Sequence, residues 1–237
     1  MTNQPERPAS LMWMCVLAIA VGTIGGLGAW LFRLLIGVLH NAFFLGELNF
    51  VYDANAHTES NPWGPGVILV PVIGAVCVAW LVKTFAPEAK GHGVPEVIDA
   101  IHYKQGIIRP IVAVIKSLAS AICIGSGGSV GREGPIIQIG SAFGSTLGQA
   151  VGVPARQQIT LVAAGAAAGI AATFNAPLGG VVFAIELLLV SINVRTLLPV
   201  ALATVTATYL GRALLGVYPA FHFAALEVDR FELGSPW

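Results

Sequence analysis

The segment GSGGSVGREGP occupies residues 125–135, in the middle of an otherwise apolar chain. Its glycines interrupt a continuous helix, and Pro135 suits the first turn of a new one. Glu133 would then lie at a helix N-terminus, where unpaired N–H groups and the positive end of the helix dipole favour an anion. These amides can hold either the Glu133 carboxylate or a halide ion, which predicts a gate. A plainer interpretation stays open, in which Glu133 caps its helix or pairs with Arg132.

A second segment, KGHGVPEV at residues 90–97, has the same design. Two glycines surround His92, and Pro95 opens the helix that follows. Two facing helix N-termini would form a positively polarised cavity without a fixed charge. His92 fits such a cavity, and it fits equally well as a histidine in a surface loop. Glu96 and Asp99 are interpreted as carboxylates that complement the dipole of the following helix.

The composition indicates the environment of the chain. It has 237 residues with 12 basic and 12 acidic side chains, and hence no net charge. Charged residues make up 10% of the chain, against roughly 25% in ordinary soluble domains. The mean hydropathy is +0.80. These values exclude a soluble globule and give nucleic acid no basic surface to bind, so the lipid bilayer is the expected partner.

Long uncharged stretches point to several membrane spans, because a bilayer core needs roughly 20 apolar residues per helix. They cover residues 8–32, 60–82, 134–155 and 157–185. We predict an all-α polytopic membrane protein with helices at residues 11–40, 65–84, 95–103, 108–124, 133–149, 154–174, 177–190 and 196–215. Glycine and proline break the later helices, and non-helical backbone at membrane depth is stable only where protein buries it or water reaches it. Such breaks are typical of ion sites.

Enzyme motifs fail on spacing. No lysine follows the glycines at 125–131 as a phosphate loop requires, and the chain has no H-E-x-x-H metal motif. Ser126 and Ser129 have glycine neighbours, as in an intramembrane serine protease, but no histidine follows before His222. We therefore expect a protein that is not an enzyme, with no metal and no cofactor other than a permeant anion.

Three ordered motifs resemble those of the CLC chloride channels and proton-coupled chloride exchangers. They are GHGVPEV at 91–97, GSGGSVGREGPIIQIG at 125–140 and GAAAGIAATFNAPLGGVVFAIE at 165–186. The resemblance implies that Glu133 is the gating glutamate and a proton acceptor, and that chloride or a similar anion, possibly exchanged for protons, passes between the filter segments. The implied filter residues are Gly91, His92, Gly93, Val94, Pro95, Gly131, Arg132, Gly134 and Pro135.

Two positions depart from the family pattern. His92 replaces the usual filter serine, so an imidazole that can donate a hydrogen bond or become cationic stands where a hydroxyl is expected. Proton-coupled members often carry an internal glutamate where this chain has Leu187. The neighbouring Glu186 is no simple substitute, since one residue along a helix rotates a side chain by about 100°. The sequence leaves channel and exchanger both open.

The resemblance covers only the first of the two inverted halves of that family, and no G-x-F-x-P filter segment occurs after residue 190. We expect residues 1–10 to be a tail, 11–216 the first transmembrane half, and 217–237 a connection toward a missing C-terminal half. A truncated non-transporting fragment or an accessory subunit is the alternative.

The resemblance also implies an assembly and a location. It predicts a homodimer surface on 177–190 and 196–210, with Val182, Leu189 and Leu197 in the interface. The expected location is a prokaryotic plasma membrane, which the chain would cross several times.

Overall fold

Over the part that the structure describes, the regular secondary structure of the chain is entirely helical. A computed structural model describes residues 9–50 and 62–216, and no strand occurs among them. The α-helices are α1 Leu11–His40, α2 Leu69–Phe85, α3 Val94–Tyr103, α4 Pro110–Gly125, α5 Glu133–Val151, α6 Ala155–Phe174, α7 Pro177–Leu187 and α8 Val194–Leu215. The predicted all-α class is confirmed. The expected tail at 217–237 and most of the expected N-terminal tail lie outside the described residues.

Capping side chains and left-handed residues fix where the helices begin and end. The Ser10 hydroxyl accepts a hydrogen bond from the Trp13 N–H at 3.2 Å, which caps α1. Asn193 caps α8 by accepting from the N–H groups of Arg195 and Thr196. At the end of α6, Asn175 has a φ of 57°, a left-handed conformation that stops the helix.

Two predicted helix bounds differ from the structure by three residues or more. Residues 64–68 form a 3₁₀ helix, and α2 begins at Leu69. The first residues of the helix predicted at 65–84 are therefore 3₁₀-helical and not α-helical. The helix predicted to run to residue 190 ends at Leu187, because Leu188 leaves the helical conformation at φ −122° and ψ −32°. The apolar pattern continues past this point, and therefore it did not reveal the end.

Helix α6 lies at the centre and packs against α1, α5, α7 and α8. It meets α5 through glycines: a Cβ atom on Gly165 would lie 2.7 Å from the carbonyl carbon of Gly140. The reciprocal Cβ on Gly140 would lie 2.8 Å from the carbonyl carbon of Gly165. Such close approach of backbones is the usual way in which membrane helices associate, since lipid gives apolar side chains little reason to leave it.

Helix α1 joins this core from the other end of the sequence. Its Gly22 faces α8, where an added Cβ would lie 2.9 Å from the Ala203 Cα. At its start, the Gln157 side chain of α6 pairs with both backbone groups of Ala9, accepting from its N–H at 3.0 Å and donating to its carbonyl at 2.8 Å. The first helix is therefore fixed by elements that come much later in the chain.

Four helical stretches of the described chain are long and apolar enough to cross a membrane. They are Leu11–Leu45, Gly64–Phe85, Ala155–Phe174 and Val194–Leu214, while Pro110–Gly125 and Pro177–Leu187 are shorter apolar helices. Together with the composition, these spans establish a polytopic membrane protein.

Candidate functional site

The two segments that the sequence singles out meet at one place. Residues 91–95 lead into α3 and residues 131–135 lead into α5. A Cβ atom on Gly93 would lie 3.0 Å from the carbonyl carbon of Gly134, and one on Gly134 would lie 3.0 Å from the carbonyl carbon of His92. Since neither position has room for a side chain, the backbones at the two helix N-termini are in direct contact.

The first segment needs its glycines for conformation as well as for space. Gly91 and Gly93 have φ values of 91° and 108°, a region that residues with a Cβ rarely adopt. The Glu96 Oε2 accepts a hydrogen bond from the Gly93 N–H at 2.8 Å, so this carboxylate caps α3, in line with its interpretation from the sequence. The Gly93 amide is thus engaged within the protein, whereas the next amides of α3 have no partner inside the helix.

Glu133 is the first residue of α5, and its side chain is exposed. Its carboxylate folds back over Gly131, where an added Cβ would collide with the Oε2 atom. Gly134 and Pro135 behind it are buried. The carboxylate therefore lies on the open side of the site, at the positive end of the α5 dipole.

The two other polar filter residues flank this carboxylate. His92 is exposed, and a Cβ on Gly134 would lie 2.9 Å from its Nδ1 atom. Arg132 is partly buried, with its guanidinium carbon 5.9 Å from the centre of the Phe174 ring. Contact with an aromatic face helps to hold a guanidinium in place. The imidazole lies beside the junction of the two helix N-termini, and the guanidinium lies against α6.

Cations line a cavity next to the first segment. The cavity measures about 640 Å³, lies between α2 and α4, and reaches Gly91. Lys83, Lys90 and Lys116 contribute to its wall, and no carboxylate is found among the described residues that line it. A cavity with one sign of charge raises the local concentration of the opposite ion. Apolar side chains and backbone form most of the remaining wall of this cavity.

Two buried polar residues near the site escaped prediction. Lys116 of α4 is 3% exposed and Gln138 of α5 is 2% exposed, and both donate to backbone carbonyls that precede α3. A single lysine in an apolar helix was the available signal, because a charge at membrane depth is costly unless it has a function or a partner. No comparable signal pointed to Gln138.

The residues predicted for a dimer surface lie on or just after α7 and on α8, and not on α3 or α5. Val182 is 50% exposed, whereas Leu189 and Leu197 are partly buried. Larger apolar side chains on the same two helices are more exposed, namely Leu178 and Tyr209. Within residues 9–50 and 62–216, no group of three or more His, Cys, Asp or Glu residues is placed to hold a metal ion.

Comparison with known proteins places this arrangement in a family. A ClcB-like protein of Ralstonia nicotianae is 31% identical over 228 residues, which cover 94% of this chain and 51% of the relative. The H(+)/Cl(−) exchange transporter ClcA of Salmonella arizonae is 33% identical over 194 residues, which cover 76% of this chain and 37% of that transporter.

A solved structure shares the fold. The crystal structure of a slow cyanobacterial Cl−/H+ antiporter superposes with a TM-score of 0.71 at 25% identity, covering 92% of this chain and 49% of the antiporter. The chain thus spans about half the length of the proteins that it matches, or less. The family model for the voltage gated chloride channel matches residues 74–234, well over half of the chain. The chain therefore belongs to the voltage gated chloride channel family, the CLC proteins.

Proposed function

We propose that this chain forms one wall of a transmembrane path for chloride or a similar anion. The observation that carries the proposal is the contact between the N-termini of α3 and α5 at Gly93 and Gly134. Each helix end presents amides and a positive dipole, and together they favour an anion without a fixed charge. Relatives described as chloride exchange transporters support the choice of anion.

Glu133 acts as the gate in this proposal. Its carboxylate lies over Gly131 at the start of α5, where a permeant anion would meet the same amides. A charged carboxylate and a halide compete for these donors, because both are anions at one helix end. A protonated Glu133 loses this attraction and leaves the position, which links anion movement to proton uptake.

Glu133 alone is compatible with passive conduction and with proton exchange. Exchange needs a second proton-transfer group toward the other side of the membrane. Leu187 stands where the family often has that group, and the adjacent Glu186 is exposed near the end of α7. The absence of a carboxylate at Leu187 favours conduction, and a measurement of proton movement decides between the two.

The proposed path needs a second wall. The chain spans about half of the antiporter that it resembles, and both Glu133 and His92 are exposed. We expect the C-terminal half of a CLC protein to cover these groups, a second copy to bind at α7 and α8, and the assembly to lie in a prokaryotic plasma membrane. Alone, the 237 residues should carry no chloride flux, as the fragment alternative also requires.

The test is chloride efflux and proton uptake in liposomes, with the chain co-expressed with the C-terminal half of a full-length family member. Glu133→Gln imitates the protonated gate, so chloride efflux should rise severalfold and any proton coupling should disappear. Glu186→Gln is the matched control, because it removes another exposed carboxylate from a helix without touching the filter segments.

Two outcomes contradict the proposal. If Glu133→Gln leaves flux and coupling unchanged in an active assembly, Glu133 is not the gate. If the assembly carries no flux although both halves are inserted, the chain is a non-transporting fragment or an accessory subunit.

A further inference from the structure

An anion site built from backbone needs its N–H groups turned inward and its carbonyls turned away. The N–H and C=O of one planar peptide unit point in opposite directions, so holding the carbonyl also aims the amide. The peptide unit in question joins Gly91 to His92, in the segment that leads into α3. The direction of the Gly91 carbonyl thus decides where the His92 N–H points.

Lys116 holds that carbonyl. Its Nζ atom donates to the Gly91 carbonyl at 2.7 Å and to the Ala89 carbonyl at 3.0 Å. The lysine is 3% exposed and comes from α4, a different element from the segment that it binds. Since the Gly91 carbonyl points at Lys116, the His92 N–H points away from it, toward the opposite side of the segment.

Other side chains fix the same segment on both sides of this contact. The Gln138 Nε2 atom donates to the Glu88 carbonyl at 3.0 Å, and the Glu96 carboxylate accepts from the Gly93 N–H at 2.8 Å. Three carbonyls are thus drawn toward α4 and α5, and one amide is taken by a carboxylate. Among the described hydrogen bonds, none uses the His92 N–H as donor.

We propose that Lys116 is a positioning residue that turns the Gly91 carbonyl away from the anion path and aims the His92 amide into it. This inference rests on the proposed function of the two helix N-termini. A lysine that acted only through its charge would attract anions without needing two short bonds to carbonyls. A glycine is needed at position 91 as well, because its φ of 91° lets the peptide unit take this orientation.

The first experiment measures amide hydrogen exchange of the chain in lipid nanodiscs. Ala89, Lys90 and Gly93 report on the segment, because their N–H groups are hydrogen-bonded in the structure. Lys116→Met should speed their exchange about tenfold, as expected when buried carbonyls lose their donors. If the Lys116→Met variant does not insert into the membrane, Lys116→Gln replaces it, since this change also removes the ammonium group from both carbonyls. The same increase in amide exchange is then expected.

Gln158→Leu is the matched control for this experiment. Gln158 is also a buried side chain that donates to two backbone carbonyls, those of Gly106 and Ser145, at 3.2 and 2.8 Å. Its loss should speed exchange near Gly106 and leave residues 89–93 unchanged. Unaltered exchange at 89–93 in the Lys116 variants overturns the proposal.

The second experiment measures chloride affinity in the assembly that includes a C-terminal half. Lys116→Met should raise the chloride concentration for half-maximal flux about tenfold, because the anion loses a well-directed hydrogen bond. Lys116→Arg, which keeps donors for the carbonyls, should recover part of the affinity, and Gln158→Leu should not change it.

The two readouts separate the failure of each idea. A loosened segment with unchanged chloride affinity overturns the positioning role, as does an affinity loss without any change in exchange, which would indicate an effect of charge alone. If the wild-type assembly lacks Glu133-dependent flux, the proposed function fails, and unchanged hydrogen exchange would still refute the contact of Lys116 with the segment.

Discussion

Helices α2 and α6 have similar lengths but opposite surroundings. The most apolar stretch of the span that contains α2 has a mean hydropathy of 2.4 and is 6% buried, whereas that of α6 has a mean hydropathy of 1.3 and is 72% buried. In a water-soluble protein the more apolar helix would be the more buried one. The reversal is typical of a membrane protein, in which apolar helices can face lipid and small residues mark contact between helices.

The largest effect is expected where α6 touches α5. Gly165→Leu places a side chain against the backbone of Gly140. Because a backbone cannot move aside as a flexible side chain can, the substitution should destabilise the fold by about 3 kcal/mol or more. Gly66→Leu, in the turn before α2, is the matched control because no atom lies within 4 Å of its added Cβ. Size-exclusion chromatography in mild detergent should show aggregation for the first variant only. Equal profiles would mean that the glycine contact does not hold the core together.

A smaller effect is expected from a charge on α2. Val76 is 65% exposed near the middle of this span, and a surface position in a soluble protein would accept lysine with little cost. In a bilayer, Val76→Lys should oppose insertion by about 2.5 kcal/mol. The measurement is a glycosylation-based insertion assay, with Val76→Ile as the control. Unimpaired insertion of the lysine variant would show that α2 faces water or a polar partner.

The smallest effect is expected outside both helices, at the pair formed by Glu88 and Arg109. The hydrogen bond from the Arg109 side chain holds the pKa of the Glu88 carboxyl below its ordinary value of 4.5. A lowered pKa in the folded state adds stability above pH 4.5, and this stability is lost as the pH falls through the folded value. The pair is partly exposed, so screening by solvent keeps the contribution modest.

Thermal unfolding at neutral pH and at pH 3 tests this pair. Arg109→Gln should lower the melting temperature slightly at neutral pH and by less at pH 3, because the stabilisation is lost as the pH falls through the lowered pKa of Glu88. In a Glu88→Gln background the same change should have no pH-dependent effect. A melting difference that is equal at both pH values would show that Arg109 acts through packing alone.

Much of the fold could be predicted from the sequence because the signals are local. Helix starts at Leu11, Glu133 and Pro177 were predicted from an uncharged apolar stretch, a glycine break and a proline, and the structure has all three. The approach of the two glycine segments was also expected, although their contact at Gly134 and the partners of Glu96 needed coordinates. The roles of Glu133 and His92 in transport stay predictions.

The buried contacts around the site could not be predicted in the same way. Lys116 lies 25 residues from the carbonyl of Gly91 that it binds, and a backbone carbonyl leaves no trace in the residue types. Gln138 similarly reaches Glu88 across 50 residues. The sequence can reveal an unusual polar side chain in an apolar helix. Which backbone carbonyls accept its hydrogen bonds depends on how the helices pack.

The contact between Gln157 and Ala9 can form only late in the synthesis of the chain. The first helix is complete when residue 40 has been made, but the Gln157 side chain that binds the backbone just before it belongs to α6, more than a hundred residues later. At roughly 5–20 residues per second, the ribosome needs on the order of ten seconds to reach it. During this time the glycines of α1 have neither α6 nor α8 to pack against. Its span has a mean hydropathy of 2.0, against 1.3 for α6, so the helix that is made first is the one better able to stand alone in lipid.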